Sequence, residues 1–189
     1  MSSRRAVILV GAALFMVVAG AVVVAWMLLT GRPASLISGE PAAATAATPG
    51  RTIKARLFYV SPDGLGLTGV EREVPFAEGA EQAREIVNAQ IAPAAEPLVS
   101  AVPPGTALRA VFVTERGDAY VDLSKEAATA HPGGTMNELL TVYTIVNALT
   151  INIPAVQSVQ ILIDGKEVVT LAGHVDLRRP LAKNLSLVQ

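Results

Sequence analysis

The chain has 189 residues, a formal net charge of −1 and no cysteine. Beyond residue 50 it is long enough for one domain of ordinary size with its own hydrophobic core. The missing cysteine excludes disulfides, thiolate metal sites and a thiol nucleophile. Because the charge is near zero and the sequence has no long basic run, nucleic-acid binding has no electrostatic support.

Residues 6–30 form an uncharged stretch rich in Val, Leu and Ala, and Arg4 and Arg5 precede it. About 20 apolar residues span a bilayer as a helix, whereas the apolar core of a cleavable signal peptide has about 7–15 residues. The two arginines favour an N-terminus on the inner side of the membrane. The sequence therefore predicts a cytoplasmic N-terminus at residues 1–5, a single-pass signal anchor over 6–30 in the cytoplasmic membrane, and an extracytoplasmic remainder.

Residues 31–50 consist mostly of Ala, Pro, Ser, Thr and Gly and show no apolar periodicity. This composition is typical of a disordered or extended linker. At about 3 Å per residue, such a linker could hold the following domain up to roughly 60 Å from the membrane. We therefore expect a tether between the anchor and the domain.

Hydrophobic patterning predicts strands and a helix in the first part of the domain. Residues 53–60 form a strand pattern that ends at a Ser-Pro-Asp-Gly turn, and residues 70–74 are predicted to form a short returning strand. Apolar residues recur at helical spacing over 79–91, which predicts an amphipathic helix. Residues 108–113 and 119–123 flank a Gly-Asp turn and are predicted to form a second hairpin.

A long helix is predicted to begin at Thr135 and to end near Asn152, because Pro154 pushes the residue before it out of the helical region. Its first turn matches a capping box, in which Thr135 and Glu138 would exchange hydrogen bonds between side chain and backbone. Apolar side chains cover more than half of its circumference, so neighbours should cover it on more than one side. Asn147 lies inside that apolar arc and, if buried, should have a hydrogen-bond partner.

A strand, a tight turn and a returning strand are predicted after this helix. Residues 156–163 place apolar side chains on one face at alternating positions, and the Asp-Gly pair at 164–165 is a strong hairpin signal. Residues 168–171 are predicted to form the return. Because hairpins dominate, the sequence predicts an α+β fold: a small, mostly antiparallel sheet with two main helices packed on one face, preceded by one transmembrane helix.

Several short segments occur in an order that one bacterial domain family shares. They are Leu-Phe-Tyr-Val at 57–60, Pro-Pro-Gly-Thr at 103–106, Tyr-Val-Asp-Leu-Ser at 120–124, and the longer runs 137–150, 159–165 and 170–176. Together they closely resemble the GerMN domain, which is named for bacterial sporulation and spore-germination proteins. The resemblance implies one GerMN domain over residues 51–182, followed by a C-terminal tail at 183–189.

His174 and Asp176 are the pair that most suggests chemistry. On an extended strand, residues two apart point to the same side, so both could face one ligand. A metal site needs three or four ligands, so the favoured interpretation is a His–Asp pair, or separate backbone hydrogen bonds, that fixes a strand end. A metal-dependent hydrolase built on these two residues, and a carboxylate pair at Asp118 and Asp122, are the weaker alternatives. We predict no catalytic residue, cofactor or metal.

Four residues and the tail are candidates for structure or interaction. Asn147 is expected to be buried, although with Tyr143 it could instead border a groove for a small molecule. Arg178 and Arg179, with Lys183 beyond them, form a basic patch that would suit an acidic partner. Residues 183–189 are expected to be a frayed tail, and docking of this segment on a partner or on its own domain is the alternative.

The resemblance implies a role in sporulation, germination or, in bacteria that form no spores, cell-envelope assembly. The leading interpretation is a non-enzymatic, membrane-anchored envelope protein that acts by association. Its edge strands would contact other envelope proteins, a like domain or peptidoglycan. The alternative is a module that binds cell-wall glycan or a small ligand. Aromatic residues make up 4% of the chain, which disfavours a stacking platform for sugars.

Overall fold

The structure is a computed structural model that describes residues 50–189, and this part of the chain opens with a β-hairpin. Strands β1 (Thr52–Val60) and β2 (Leu67–Pro75) pair antiparallel along their whole length. In the turn between them, the Ser61 hydroxyl donates to a carboxylate oxygen of Asp63 at 2.6 Å. Local side-chain bonds of this kind stabilise tight turns. The two strands form a small sheet of their own.

A second sheet contains the five remaining strands. They are β3 (Leu108–Val113), β4 (Asp118–Leu123), β5 (Ser158–Ile163), β6 (Lys166–Glu167) and β7 (Leu181–Ala182). Strands β3 and β4 form an antiparallel hairpin, whereas β4 and β5 run parallel. Parallel neighbours require a long crossover connection, and the chain between β4 and β5 supplies it in helical form. The short strands β6 and β7 share the outer edge of β5.

Three α-helices complete the fold. They are α1 (Ala80–Ile91), α2 (Glu126–Thr129) and α3 (Thr135–Asn152), and a 3-10 turn at Leu185–Leu187 follows near the C-terminus. Helix α3 contacts β1 of the small sheet and β5 of the large sheet, while α1 contacts α3, both strands of the small sheet, and β3. Because α3 has neighbours on several sides, almost all of it beyond the first turn is buried.

The hydrophobic core joins both sheets and both long helices. Its fully buried members include large side chains from β1, α1, α3 and β5. Strand β5 directs Val159, Ile161 and Ile163 inward, as its alternating pattern predicts. The largest fully buried side chains include Phe58, Ile86, Ile145, Leu149 and Ile161.

The α+β class is confirmed, but the predicted sheet arrangement is wrong. In place of one mostly antiparallel sheet with two helices on one face, there are two sheets and a parallel β4–β5 pair, with α3 in contact with both sheets. Turn signals predict hairpins but do not show which hairpins share a sheet, so the sequence predicts one sheet where the structure has two. The predicted return strand over 168–171 is also wrong, since the returning strand β6 ends at Glu167 and residues 168–171 form no strand.

The predicted membrane segments lie outside the described residues. This holds for the cytoplasmic N-terminus at 1–5, for the anchor at 6–30 and for all but the last residue of the linker at 31–50. Within residues 50–189, no helix combines the length and the apolar character needed to cross a bilayer. The anchor and the domain boundaries at 51–182 and 183–189 stay predictions.

Candidate functional site

Glu138 is the most deeply buried charged residue in the described part of the chain, with 0% of its surface exposed. Its carboxylate contacts the loop after β6 and does not cap the N-terminus of its own helix. Oε1 accepts from the backbone N–H groups of Leu171 (2.7 Å) and Ala172 (2.9 Å). Oε2 accepts from the backbone N–H of His174 at 2.8 Å and lies 3.2 Å from its ring Nδ1. The carboxylate therefore fixes this loop against α3.

The predicted capping box is wrong for the same reason. No side chain caps the start of α3, which begins after Gly134 with a φ of 87°. The Glu138 backbone N–H bonds the Gly134 carbonyl at 3.0 Å. The spacing of Thr135 and Glu138 fits a capping box, but the Glu138 carboxylate instead accepts hydrogen bonds from residues more than thirty positions away in sequence.

Two opposing effects set the pKa of Glu138. Burial is the larger single effect and raises the pKa, because it disfavours the charged form. Backbone N–H groups of Ala172, His174, Leu171 and Val175 lower it, and together they outweigh burial, so the pKa lies below its ordinary value. The group is therefore an ionised, structural carboxylate at neutral pH.

His174 and Asp176 do not form a pair. The chain from 171 to 175 is a series of bends with a positive φ of 99° at Gly173, and no strand includes His174 or Asp176, so the same-side rule for strands does not apply. His174 turns to Glu138, whereas Asp176 holds Arg178 through two side-chain bonds of 2.9 and 2.7 Å. That exposed pair lowers the pKa of Asp176, chiefly through its hydrogen bonds to the Arg178 side chain and backbone.

The other carboxylates that the sequence singled out are also engaged. Asp118 accepts from the Ser158 hydroxyl at 2.6 Å. Asp122, only 7% exposed, binds Arg109 Nε at 3.1 Å and the Gly165 N–H at 2.7 Å, which fixes the turn after β5. Across residues 50–189, no group of three or more His, Asp or Glu side chains is placed to hold a metal ion.

Asn147 is fully buried and holds the C-terminal segment. Its amide donates to the Asn184 carbonyl and accepts from the Asn184 N–H, both at 2.9 Å. Farther along, the Gln189 N–H bonds the Leu67 carbonyl at 2.9 Å, and Val188 forms a parallel bridge with Leu67. The expectation of a frayed tail is wrong, and the alternative that this segment docks on its own domain is confirmed.

Tyr143 and Arg179 stand apart from these contacts. Tyr143 is half-buried and packs against the core. Two surface cavities, of about 470 and 580 Å³, are lined by other residues, so neither is the groove that was expected beside Tyr143 and Asn147. Arg179 is exposed, and its neighbour Arg178 is neutralised by Asp176, which leaves less of a basic patch than the sequence predicted.

The small sheet has a sealed edge that no sequence motif indicated. Gln90 of α1 accepts from the Phe58 N–H and donates to the Phe58 carbonyl, both at 2.8 Å. Asn152 of α3 does the same for Arg56, again at 2.8 Å each way. These two amides take the place of a neighbouring strand along the outer edge of β1. An isolated Gln or Asn at a helix end gives no signal of this role.

The opposite edge of the small sheet is open. Residues facing each other across antiparallel strands alternate between hydrogen-bonded and non-bonded pairs. Because Arg56 and Phe58 turn their peptide groups away from β2, their partners Glu71 and Gly69 turn theirs away from β1. The same alternation applies to Glu73. Within the described residues no hydrogen bond satisfies these outward groups, and both glutamates are exposed.

The other sheet edges are less accessible. The outer edge of β5 already carries β6 and β7. On β3, the alternation places the outward peptide groups at Val111 and Val113, whose side chains are buried and half-buried beside α1. At the start of β2, Leu67 is occupied by the docked C-terminal residues. The stretch Gly69 to Glu73 is therefore a five-residue run of open strand edge in the part of the chain that the structure covers, and its last three residues are exposed.

Three solved structures are similar to this chain, and one of them aligns well enough to show the same fold. A candidate lipoprotein from Clostridium perfringens aligns with a TM-score of 0.51 and 23% identity, over 70% of this chain and 88% of that one. The tandem GerMN domains of the sporulation protein GerM from Bacillus subtilis align with a TM-score of 0.49 and 18% identity, over 71% of this chain and 46% of that one. The first GerMN domain of that protein alone aligns with a TM-score of 0.49 and 18% identity, over 70% of this chain and 96% of that one.

A family model described as "Germane: Sporulation and spore germination" matches residues 56–169. No curated protein is similar enough to the chain to match it. The matched region runs from within β1 through β6, so it includes all three helices, the buried Glu138 and every strand except β7. The resemblance to the GerMN domain is thereby confirmed, and the chain belongs to the Germane family of sporulation and spore germination.

Proposed function

We propose that this protein is a non-enzymatic association module of the bacterial envelope, held at the outer face of the cytoplasmic membrane. Its role would be in sporulation, germination or envelope assembly, in keeping with the family. The predicted anchor at 6–30 and the linker at 31–50 would confine the domain to the membrane surface. Confinement raises the effective concentration of a tethered domain near its partners, so modest contacts suffice for association.

The open edge of β2 is the observation that carries this proposal. Exposed, unpaired peptide groups along a strand are a template for an incoming strand, whose main-chain hydrogen bonds supply affinity. The same small sheet seals its other edge with two helix side chains, Gln90 and Asn152. One edge is thus closed by the domain itself, while the other is unpaired within residues 50–189.

The engagement of the conspicuous polar residues supports a non-enzymatic role. Glu138 and His174 hold a loop, Asn147 holds the C-terminal segment, and Asp122 holds a turn. An acid–base or nucleophilic site needs reactive groups that converge on space for a substrate. These groups converge on backbone N–H and carbonyl groups of the same chain. A candidate lipoprotein with the same fold agrees with a location at the membrane.

In-cell crosslinking tests the proposal. A photo-reactive amino acid replaces Glu73 on the open edge, Arg179 near the tail or Phe112 on the large sheet of the full-length chain, and Asn88 on α1 serves as a matched exposed control. We expect the chain in the membrane fraction, with discrete higher-mass adducts from Glu73 and none from Asn88. A chain that fractionates as a soluble protein, or that forms no adduct at any position, would contradict the proposal.

A further inference from the structure

The exposed charges on one face of the small sheet form two columns, one on each strand, and the two columns have opposite sign. Lys54 and Arg56 of β1 lie directly opposite Glu73 and Glu71 of β2, and all four side chains are exposed. Lys54 Nζ is 3.9 Å from a carboxylate oxygen of Glu71. The column on β1 is therefore positive and the column on β2 is negative. A strand added outside β2 would place its own side chains beside the glutamates.

Cross-strand neighbours of opposite charge stabilise a sheet, and like charges directly opposite destabilise it. We propose that the edge of β2 from Gly69 to Glu73 binds an extended segment of a different protein, which presents Lys or Arg at alternating positions toward Glu71 and Glu73. This inference rests on the proposed function and specifies the chemistry of the partner. The segment needs about five residues, because the docked C-terminal residues occupy the edge at Leu67.

A second copy of this chain does not meet the requirement. Two antiparallel registers of β2 with its own copy use most of the edge. In the first, Glu71 lies opposite Glu73 of the copy. In the second, Glu71 lies opposite Glu71 of the copy and Glu73 lies opposite Gly69. The positive column of a second copy lies on β1, but Gln90 and Asn152 close the edge of that strand. Charge and hydrogen bonding therefore both point to a heterologous partner.

Two end-blocked peptides test the inference on the full-length chain in zwitterionic nanodiscs. One has the sequence Thr-Lys-Val-Lys-Val-Thr, and the matched peptide Thr-Glu-Val-Glu-Val-Thr has the opposite charge. We expect the basic peptide to bind about tenfold more tightly, because two favourable cross-strand pairs replace two unfavourable ones. Hydrogen exchange should slow in β2 on binding. Protection elsewhere, or equal affinity of the two peptides, would overturn the inference.

Three variants separate charge from backbone pairing. Glu71→Pro removes an outward N–H that the β1–β2 ladder does not use, so it should abolish protection of β2 by the basic peptide. The double change Glu71→Lys and Glu73→Lys should reverse the preference toward the acidic peptide, whereas Glu167→Lys on β6 should leave it unchanged. If crosslinks form at Glu73 in cells but charge reversal leaves both adducts and peptide preference unaltered, the proposed function stands and this inference fails.

Discussion

Glu138 shows how one buried side chain can organise distant backbone. A carboxylate without solvent is costly unless hydrogen bonds compensate it, and here three backbone N–H groups at 2.7–2.9 Å do so. The imidazole of His174 adds a fourth contact to the Glu138 carboxylate, and the His174 side chain is partly exposed. The backbone bonds should therefore contribute more than the ring.

Replacing the carboxylate by an amide tests this ranking. We expect Glu138→Gln to lower the free energy of unfolding by about 1–3 kcal/mol, because one terminal atom becomes an N–H donor that faces other donors. His174→Ala should cost less, since it keeps the backbone N–H. Urea denaturation followed by circular dichroism measures both, with the exposed Glu167→Gln as the control. Equal losses for Glu138→Gln and the control would show that the carboxylate is dispensable.

Acid should remove the same stabilisation. The pKa of Glu138 is lowered in the folded state, so the charged form is favoured on folding. Its contribution is complete above the unfolded pKa of about 4.3, and it is lost as the pH falls from there through the lower folded value. Urea midpoints measured from pH 7 downward should converge for the native chain and Glu138→Gln in this acidic window. A gap that persists unchanged to the lowest pH would contradict the assignment.

At the scale of elements, the C-terminal segment acts as a strap. Asn147 at the middle of α3 makes two reciprocal bonds with Asn184, and the chain then reaches Leu67 at the start of β2. The strap thereby joins the large sheet, the central helix and the small sheet. It also limits the open edge at one end.

Removing the Asn147 amide should release this strap. We expect Asn147→Ala to cost about 1–3 kcal/mol, because it leaves a backbone donor and acceptor at Asn184 without their partner. Amide exchange over residues 183–189 should accelerate at the same time. The exposed Asn88→Ala on α1 is the matched control. Unchanged exchange in the tail of Asn147→Ala would show that the other tail contacts suffice.

Local sequence signals predicted the elements better than their arrangement. The end of α3 at Asn152 follows from the nearby proline and the inward face of β5 follows from alternation, and both are confirmed. The loop at 171–177, the strap and the sealed edge of β1 depend on hydrogen bonds between residues tens of positions apart. Local spacing carries no information on such partners, so it predicts a capping box for Glu138 and a pairing of His174 with Asp176.

At the scale of the whole molecule, the two edges of the small sheet differ in whether their outward peptide groups have hydrogen-bond partners. Gln90 and Asn152 close one edge, while Gly69 to Glu73 leave the other without partners within residues 50–189. The charged side chains on the open edge also discourage pairing with like strands. This difference between the two edges is what the proposed association with a selected partner requires.

Hydrogen exchange of β2 in native membranes tests this account most directly. The full-length chain is measured in membranes isolated from the producing cells and again after purification into nanodiscs. We predict that amides of residues 69–73 exchange more slowly in the native membranes, where a partner strand covers them, while β1 is equally protected in both. Identical exchange of β2 in the two preparations would contradict the claim that its edge is where this protein binds its partner.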